Sequence, residues 1–238
     1  MAMMPLFQLT SDLAFPRPEL AEPEGLLAVG GDLSVERLLL AYSLGIFPWF
    51  GEGDPILWWS PDPRMVLMPA DFHVSDRLRR LHRQRKYRVM LDTAFPKVIA
   101  ACADQPRPGQ DGTWITREME EAYIAVHQAG FAHSVEVWDG ARLVGGLYGI
   151  SLGTGFFGES MFSVEPNTSK LAIWTLAEQA KRWGFPFIDC QVHTPHLERL
   201  GGRDIPRRRF LKLLKEAVAQ PTRRGKWSLD DDLAGAMD

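Results

Sequence analysis

Two short strings concentrate the groups able to do chemistry. FFGESMF (156–162) places one carboxylate, Glu159, in an otherwise apolar and aromatic run. An unpaired buried carboxylate is costly, so this one is expected to meet a donor or a cationic ligand. In FIDCQV (187–192) a strand period of two puts Asp189 and Gln191 on one face, about 7 Å apart, with Cys190 on the other. An acid and an amide so placed can orient one incoming group together. The alternative is a local network that pins loops or a helix start. Cys190-x-x-His193-x-x-His196 offers three N/S ligands, but the loop after Val192 would have to fold both histidines back, and Cys102 is distant in sequence. A core thiol with surface histidines is the preferred reading there, and neither metal nor cofactor is expected. No dinucleotide or P-loop glycine motif, GxSxG or HExxH occurs, which lowers those enzyme classes without excluding an enzyme.

Eight Trp and thirteen Phe add a second kind of candidate. Trp49, Trp58, Trp59 and Trp114 sit in Gly/Pro-rich loops, where a ring can be rigid yet partly open. Such rings can stack on a nucleobase, each worth about 1–3 kcal/mol, or can anchor one domain on another. Trp138, Trp174 and Trp183 fall on strand or helix faces and are expected in the core. A net charge of −3 argues weakly against a nucleic-acid partner, but the charge is segregated. Residues 1–60 hold two basic and eight acidic side chains, residues 71–90 seven basic and two acidic, and residues 203–226 nine basic and two acidic. The two basic segments could form one phosphate-facing surface, with Arg77, Arg80, Arg83, Arg207 and Arg208 as its contacts. Otherwise each is a solvated helix face, and Arg207 and Arg208 could pair with Asp204 or an acidic loop.

These groups need elements to hold them. A chain of 238 residues, 45% hydrophobic, can bury one large core, and disorder is excluded. Residues 1–62 are punctuated by PRPE, EPEG, VGGD and WWSPDP and read as a small N-terminal domain with one helix from Ser34 to Gly45. Residues 63–238 read as the main domain. Ser75, Thr93 and Thr116 are expected to cap three helices, the second ending before the turn-rich PRPGQDG stretch. YRVML (87–91) reads as a strand. HSVEVW and RLVGGLYGI flank Asp139-Gly140, so a hairpin with a type I′ turn is expected. GFFGESMF follows as a third strand, then a helix over about 168–182, the strand FPFIDCQV, and a last helix with Pro206 in its first turn. SLDDDLAGAMD reads as a frayed acidic tail. The pattern is α+β, or mixed α/β. The N-terminus has no basic region leading into a clean apolar run, and no stretch approaches a membrane span, so a cytoplasmic chain without membrane contact is expected.

GIFPWF (45–50), DPILWWSPDPR (54–64), GTWIT (112–116), HSVEVW, LVGGLYG (143–149), FFGESMFS (156–163), IDCQV (188–192) and IPRR (205–208) together resemble the leucyl/phenylalanyl-tRNA–protein transferase family. The likeness runs from about residue 14 to 210. It implies a small N-terminal domain joined to an acyltransferase domain related to the GNAT N-acetyltransferases and to peptidyl-bridge-forming aminoacyl transferases. It further implies a monomer that transfers leucine, and less often phenylalanine or methionine, from aminoacyl-tRNA to proteins beginning with Arg or Lys. That product is marked for N-end-rule degradation, and the activated ester makes ATP unnecessary. The resemblance makes Glu159, Asp189 and Gln191 the groups that hold the reacting atoms. It puts Trp49 and Trp114 around the terminal adenosine and Leu147, Phe156, Met161, Ser163 and Ile173 around the donor side chain, with Ser163 at the edge, and counts Gly158 among the substrate-binding residues. Phe157 departs from the family pattern, where relatives carry Cys, and is expected to alter packing and not chemistry. A non-catalytic RNA-binding module and an acetyl-CoA-dependent N-acetyltransferase are the other two readings. The second lacks a Gly-rich pyrophosphate loop in the sequence.

Overall fold

In a computed structural model, residues 6–105 and 114–233 are described. In chain order the elements are β1 (Phe7–Leu9), β2 (Leu26–Gly30), α1 (Val35–Ser43), β3 (Phe47–Pro48), β4 (Leu57–Trp59), β5 (Arg64–Leu67), α2 (Asp76–Arg83), β6 (Arg88–Leu91) and α3 (Phe95–Ala103). There follow α4 (Arg117–Gln128), β7 (Ala132–Asp139), β8 (Arg142–Leu152), β9 (Gly155–Ser163), α5 (Thr168–Arg182), β10 (Phe187–Gln191), α6 (Pro195–Glu198), β11 (Arg203–Ile205) and α7 (Arg207–Val218). Among the described residues the strands form a four-stranded sheet, β1-β2-β4-β3, and a seven-stranded one, β11-β5-β10-β9-β8-β7-β6. Within the larger sheet only β9 and β10 run parallel. The mixed α+β expectation agrees with this architecture.

Alternation along the central strands feeds two cores. Tyr148, Phe157 and Phe187 pack on one side with α1, α3, α4 and α7, while Leu147, Phe156 and Ile188 pack on the other with α2 and α5. The first core is continuous with Phe47 and Trp58 of the smaller sheet. Phe157 lies wholly buried there, edge-on to Tyr42 with ring centroids 5.3 Å apart. It faces away from Phe156, as its strand position requires.

Helix starts follow the expected chemistry at three places. The hydroxyls of Ser34, Ser75 and Thr116 accept from the amides of Arg37, Leu78 and Met119. The start of α3 differs. Thr93 does not cap α3, whose N-cap is Ala94 with no side-chain bond. Glu136 of β7 takes over from across the sheet, accepting from the Thr93 and Ala94 amides and the Thr93 hydroxyl. The PRPGQDG stretch after this helix lies wholly outside the described residues.

The β7–β8 turn also differs. Asp139 pairs with Arg142, so the central residues are Gly140 and Ala141, and only Gly140 has a positive φ, 58°. That is the signature of a type II′ turn, which needs glycine first, and not of type I′. Pro206 is the N-cap of α7, one position earlier than expected. Residues 228–233 are not frayed: Arg182 binds Asp230 and Asp232, and the Asp230 amide donates to Gln179. Trp58 is wholly buried and donates to the Gly30 carbonyl, so it is no stacking platform. Trp138, Trp174 and Trp183 are half-buried, and Trp174 and Trp183 pack against the second core.

Candidate active site

The site opens where the parallel strands part. β10 pairs with β9 only from Phe187↔Gly155 to Asp189↔Phe157. Just past that point both strands carry a bulge. Glu159 is the extra residue of β9, between Gly158 opposite Gly149 and Ser160 opposite Tyr148. Cys190 is the extra residue of β10, between Asp189 opposite Val66 and Gln191 opposite Met65. Gln191 itself adopts φ 56°, a left-handed conformation that non-glycine residues seldom take. Bulges re-aim side chains, and these two break the simple alternation. A cavity of about 810 Å³ fills the gap. Crevices beyond the carboxyl ends of parallel strands are habitual ligand sites.

Glu159 stands in the cavity wall, half-buried. Tyr42 of α1 donates to its Oε1 at 2.7 Å and Tyr123 of α4 to its Oε2 at 2.9 Å. The two phenol oxygens lie 2.5 Å apart. Burial and the nearby Glu159 charge push both phenols well above their ordinary range, so they stay neutral. Gln191 Nε2 approaches Glu159 Oε1 at 3.4 Å. Desolvation pushes the Glu159 carboxyl up to about 7, against the lowering effect of the two phenol hydrogen bonds. The half-buried acid thus meets the donors its sequence position calls for.

Asp189 goes elsewhere. It is fully buried and does not line the cavity. Arg64 grips it with a two-pronged contact, Nε to Oδ1 at 2.8 Å and Nη2 to Oδ2 at 2.6 Å. Arg64 Nη1 donates to the Gly45 carbonyl, and its guanidinium lies 4.8 Å from the Phe47 ring centroid and 4.6 Å from that of Phe210. Asp189 Oδ1 also accepts from the Gln191 amide at 3.0 Å. The ion pair therefore pins the left-handed backbone that aims Gln191 into the cavity. Asp189 and Gln191 do not share a face, because the Cys190 bulge intervenes.

The remaining wall is mostly apolar. Leu147, Phe156, Met161, Ile173 and Leu176 form one side and Gly158 is at the parting, while Trp49 and Trp114 lie on the other side. Trp59 Nε1 donates to the Trp49 carbonyl at 2.6 Å and fixes that backbone. Ser163 is not in the wall. Its hydroxyl donates to the Glu165 carbonyl and bonds Thr168. Cys190 and His196 line the cavity, whereas His193 lies 3.2 Å from Asp204 on the surface. Burial holds the Cys190 thiol well above the ordinary range and, with Lys170 and Arg199, His196 below it. Among the described residues no three His, Cys, Asp or Glu side chains are grouped to hold a metal ion.

Arg77, Arg80 and Arg83 are exposed on α2, and Arg208 on α7. Arg207 is already engaged, its side chain on the Ser60 carbonyl and its amide on Asp62. The two basic helices pack into different cores on opposite faces of the large sheet, so no single face carries both. Tyr42, Tyr123 and Arg64 were not singled out from sequence. A signal existed for each: a tyrosine on the inner stripe of an amphipathic helix needs a partner for its hydroxyl, and Arg64 heads an apolar strand just as Asp189 interrupts one.

An apolar chamber ending in a carboxylate and an amide is suited to an amine joined to an apolar side chain. The family model described as leucyl/phenylalanyl-tRNA protein transferase matches residues 66–215, and that of the family's N-terminal domain matches residues 31–62. A leucyl/phenylalanyl-tRNA–protein transferase of Anaeromyxobacter sp. (strain Fw109-5) is 57% identical over 98% of this chain and 100% of its own. One of Myxococcus xanthus (strain DK1622) is 57% identical over 94% and 97%. The chain belongs to the leucyl/phenylalanyl-tRNA–protein transferase family. Among solved structures, a conserved Staphylococcus epidermidis protein of unknown function superposes with a TM-score of 0.42 at 10% identity, covering 76% of this chain and 68% of that one.

Proposed function

We propose that this protein transfers leucine, and less readily phenylalanine or methionine, from aminoacyl-tRNA to the α-amine of proteins that begin with Arg or Lys, marking them for N-end-rule degradation. The observation that carries the proposal is the chamber itself: an apolar pocket whose polar end holds Glu159 and Gln191. In this reading the donor side chain lies against Leu147, Phe156, Met161 and Ile173. The terminal adenosine lies by Trp49 and Trp114, whose rings offer a stacking surface.

The acceptor nitrogen attacks the ester carbonyl, the bond from that carbon to the ribose oxygen breaks, and the ribose oxygen takes up a proton. Both groups held side by side supply most of the advantage, and the ester supplies the driving force. Gln191 orients an amine. Asp189 has both oxygens engaged away from the cavity, so it positions Gln191 and does not itself take the proton. Glu159, poised near neutral pH, is suited to hold the ammonium and receive its proton. Leaving oxygen and water complete the relay.

Residues 1–62 and 63–238 are proposed as the two domains. The kinship to GNAT acyltransferases is supported by the mixed sheet and by the site at its parallel pair, and remains an analogy of fold. A cytoplasmic monomer fits an enzyme that meets charged tRNA. Among the described residues no helix is long and apolar enough to cross a membrane.

The test presents Leu-tRNA and acetyl-CoA separately as donors to an Arg-starting peptide. Leucyl-peptide from the first and no acetyl-peptide from the second is expected. Acetyl transfer would support the N-acetyltransferase reading, and tight tRNA binding without either product would support an RNA-binding module.

A further inference from the structure

Among the described residues after α7, 219–233, there is no helix or strand, yet the segment is tied down along its length. Thr222 Oγ1 accepts from the Gly153 amide at 2.8 Å, and the Gly225 amide donates to the Gly130 carbonyl at 3.0 Å. The Arg224 guanidinium covers the Phe131 ring at 4.5 Å from its centroid. The Trp227 amide donates to Asp92 Oδ2 at 2.7 Å, and its indole N–H to the Arg223 carbonyl at 2.9 Å. Arg182 then clamps Asp230 and Asp232 at 2.8 and 2.7 Å. The segment leaves α7 on one face of the large sheet, rounds the end where β7 begins and β8 stops, and finishes against α5 on the other.

Its anchor is Trp227, 3% exposed. The indole stacks on His133 with centroids 3.7 Å apart and planes 8° apart, and meets Trp183 edge-on at 4.7 Å. It also stands 6.0 Å from Phe156, ring to ring. Phe156 is one residue of the chamber wall, and its ring lies close against Gly149 of β8. A Cβ built on Gly149 would come within 2.7 Å of the Phe156 ring, so that glycine lets the ring lie flush with β8. Trp227 is the second layer behind this wall. Neither family match reaches it, since they span residues 31–62 and 66–215.

We propose that residues 219–233 act as a strap whose Trp227 fixes the depth of the donor side-chain chamber by backing Phe156, making Trp227 a positioning residue for donor size. The proposal rests on the reading of the chamber as the donor pocket. Removing the indole lets the Phe156 ring retreat, and the chamber deepens. Leucine then fits loosely, while the longer phenylalanine gains relative to it.

The experiment measures kcat/KM for Leu- and Phe-charged forms of one tRNA body with Trp227→Leu, Trp227→Phe and Phe156→Ala. Trp227→Leu should raise the Phe-to-Leu ratio by about tenfold, a shape effect of ordinary size. Trp227→Phe, which keeps an aromatic plug, should shift it less. Leu214→Ala, a cavity in the opposite core, serves as a control for lost stability and should lower both donors equally. An equal fall for both donors in Trp227→Leu overturns the strap proposal if Phe156→Ala still changes the ratio. If Phe156→Ala leaves the ratio unchanged as well, the chamber reading fails together with the strap. Should Trp227→Leu not fold, an unchanged ratio in Trp227→Phe overturns the proposal on its own.

Discussion

Glu159 titrates where the enzyme would work, and that gives it two measurable signatures. Its carboxyl is pushed up to about 7 because desolvation outweighs the Tyr42 and Tyr123 hydrogen bonds. Below that pH it is neutral and cannot hold an ammonium, so transfer should rise as pH increases through about 7. A Glu159→Gln variant should lose this limb and retain only the one set by the acceptor amine, near about 8. An unshifted profile in the variant would remove Glu159 from the proton pathway. Stability runs the other way. A carboxyl whose pKa is raised by folding contributes fully below its unfolded value of 4.5, and that contribution is lost as pH rises through about 7. Urea unfolding across that interval should therefore show the wild type losing stability relative to Glu159→Gln. Asp189 makes a different case. Its partner Arg64 is equally buried, so Asp189→Ala strands a guanidinium, and such losses cost about 3–5 kcal/mol. Denaturation of this variant should show that deficit, while Arg64→Met with Asp189→Leu should recover part of the stability without recovering transfer. Glu159 was legible in sequence as the single acid of an aromatic strand. The tyrosines that hold it come from residues 42 and 123, on separate helices, and only the tertiary fold brings them together.

The bulges explain why strand reading located the polar residues but misassigned their neighbours. FIDCQV does form β10, yet the extra residue at Cys190 turns Asp189 into the core and Gln191 into the cavity. Nothing in a period of two announces a bulge, since it follows from pairing with β5, about 120 positions upstream. The start of α3 teaches the same lesson. Thr93 has the right chemistry for a cap, but Glu136 of β7 reaches the amides first and takes its hydroxyl too. A Glu136→Ala change should leave those amides without an acceptor and cost about 1–3 kcal/mol. Hydrogen exchange at Thr93 and Ala94 checks it, because a loss confined to these amides and the first turn of α3 is expected. Unchanged protection there would mean that water or Ser134 replaces the carboxylate. The helices with local caps, α1, α2 and α4, were legible for the converse reason: their first turns are satisfied by residues at their own ends.

Charge over the molecule offers two candidate faces for RNA. The sequence separates the basic segments from the acidic N-terminal part, but it cannot say that the sheet stands between them. α2 lies beside α5, joined by the edge-on contact of His82 with Trp174 at 4.9 Å, and α5 supplies Ile173 and Leu176 to the chamber. A tRNA end seated in the chamber therefore has the exposed arginines of α2 one helix away. α7 buries Phe210 and Leu214 in the other core and turns Arg208 outward from the opposite face. Phosphate contacts give affinity without sequence preference and carry a salt dependence of nearly one unit per contact. Arg83→Glu should accordingly weaken all cognate tRNAs alike and flatten the plot of log affinity against log salt by about one unit. Arg208→Glu should leave that slope as it is. Titration of both variants over the same salt range separates the possibilities. Equal flattening by the two would mean that the RNA passes around the sheet edge, and flattening by Arg208→Glu alone would move the interface to α7.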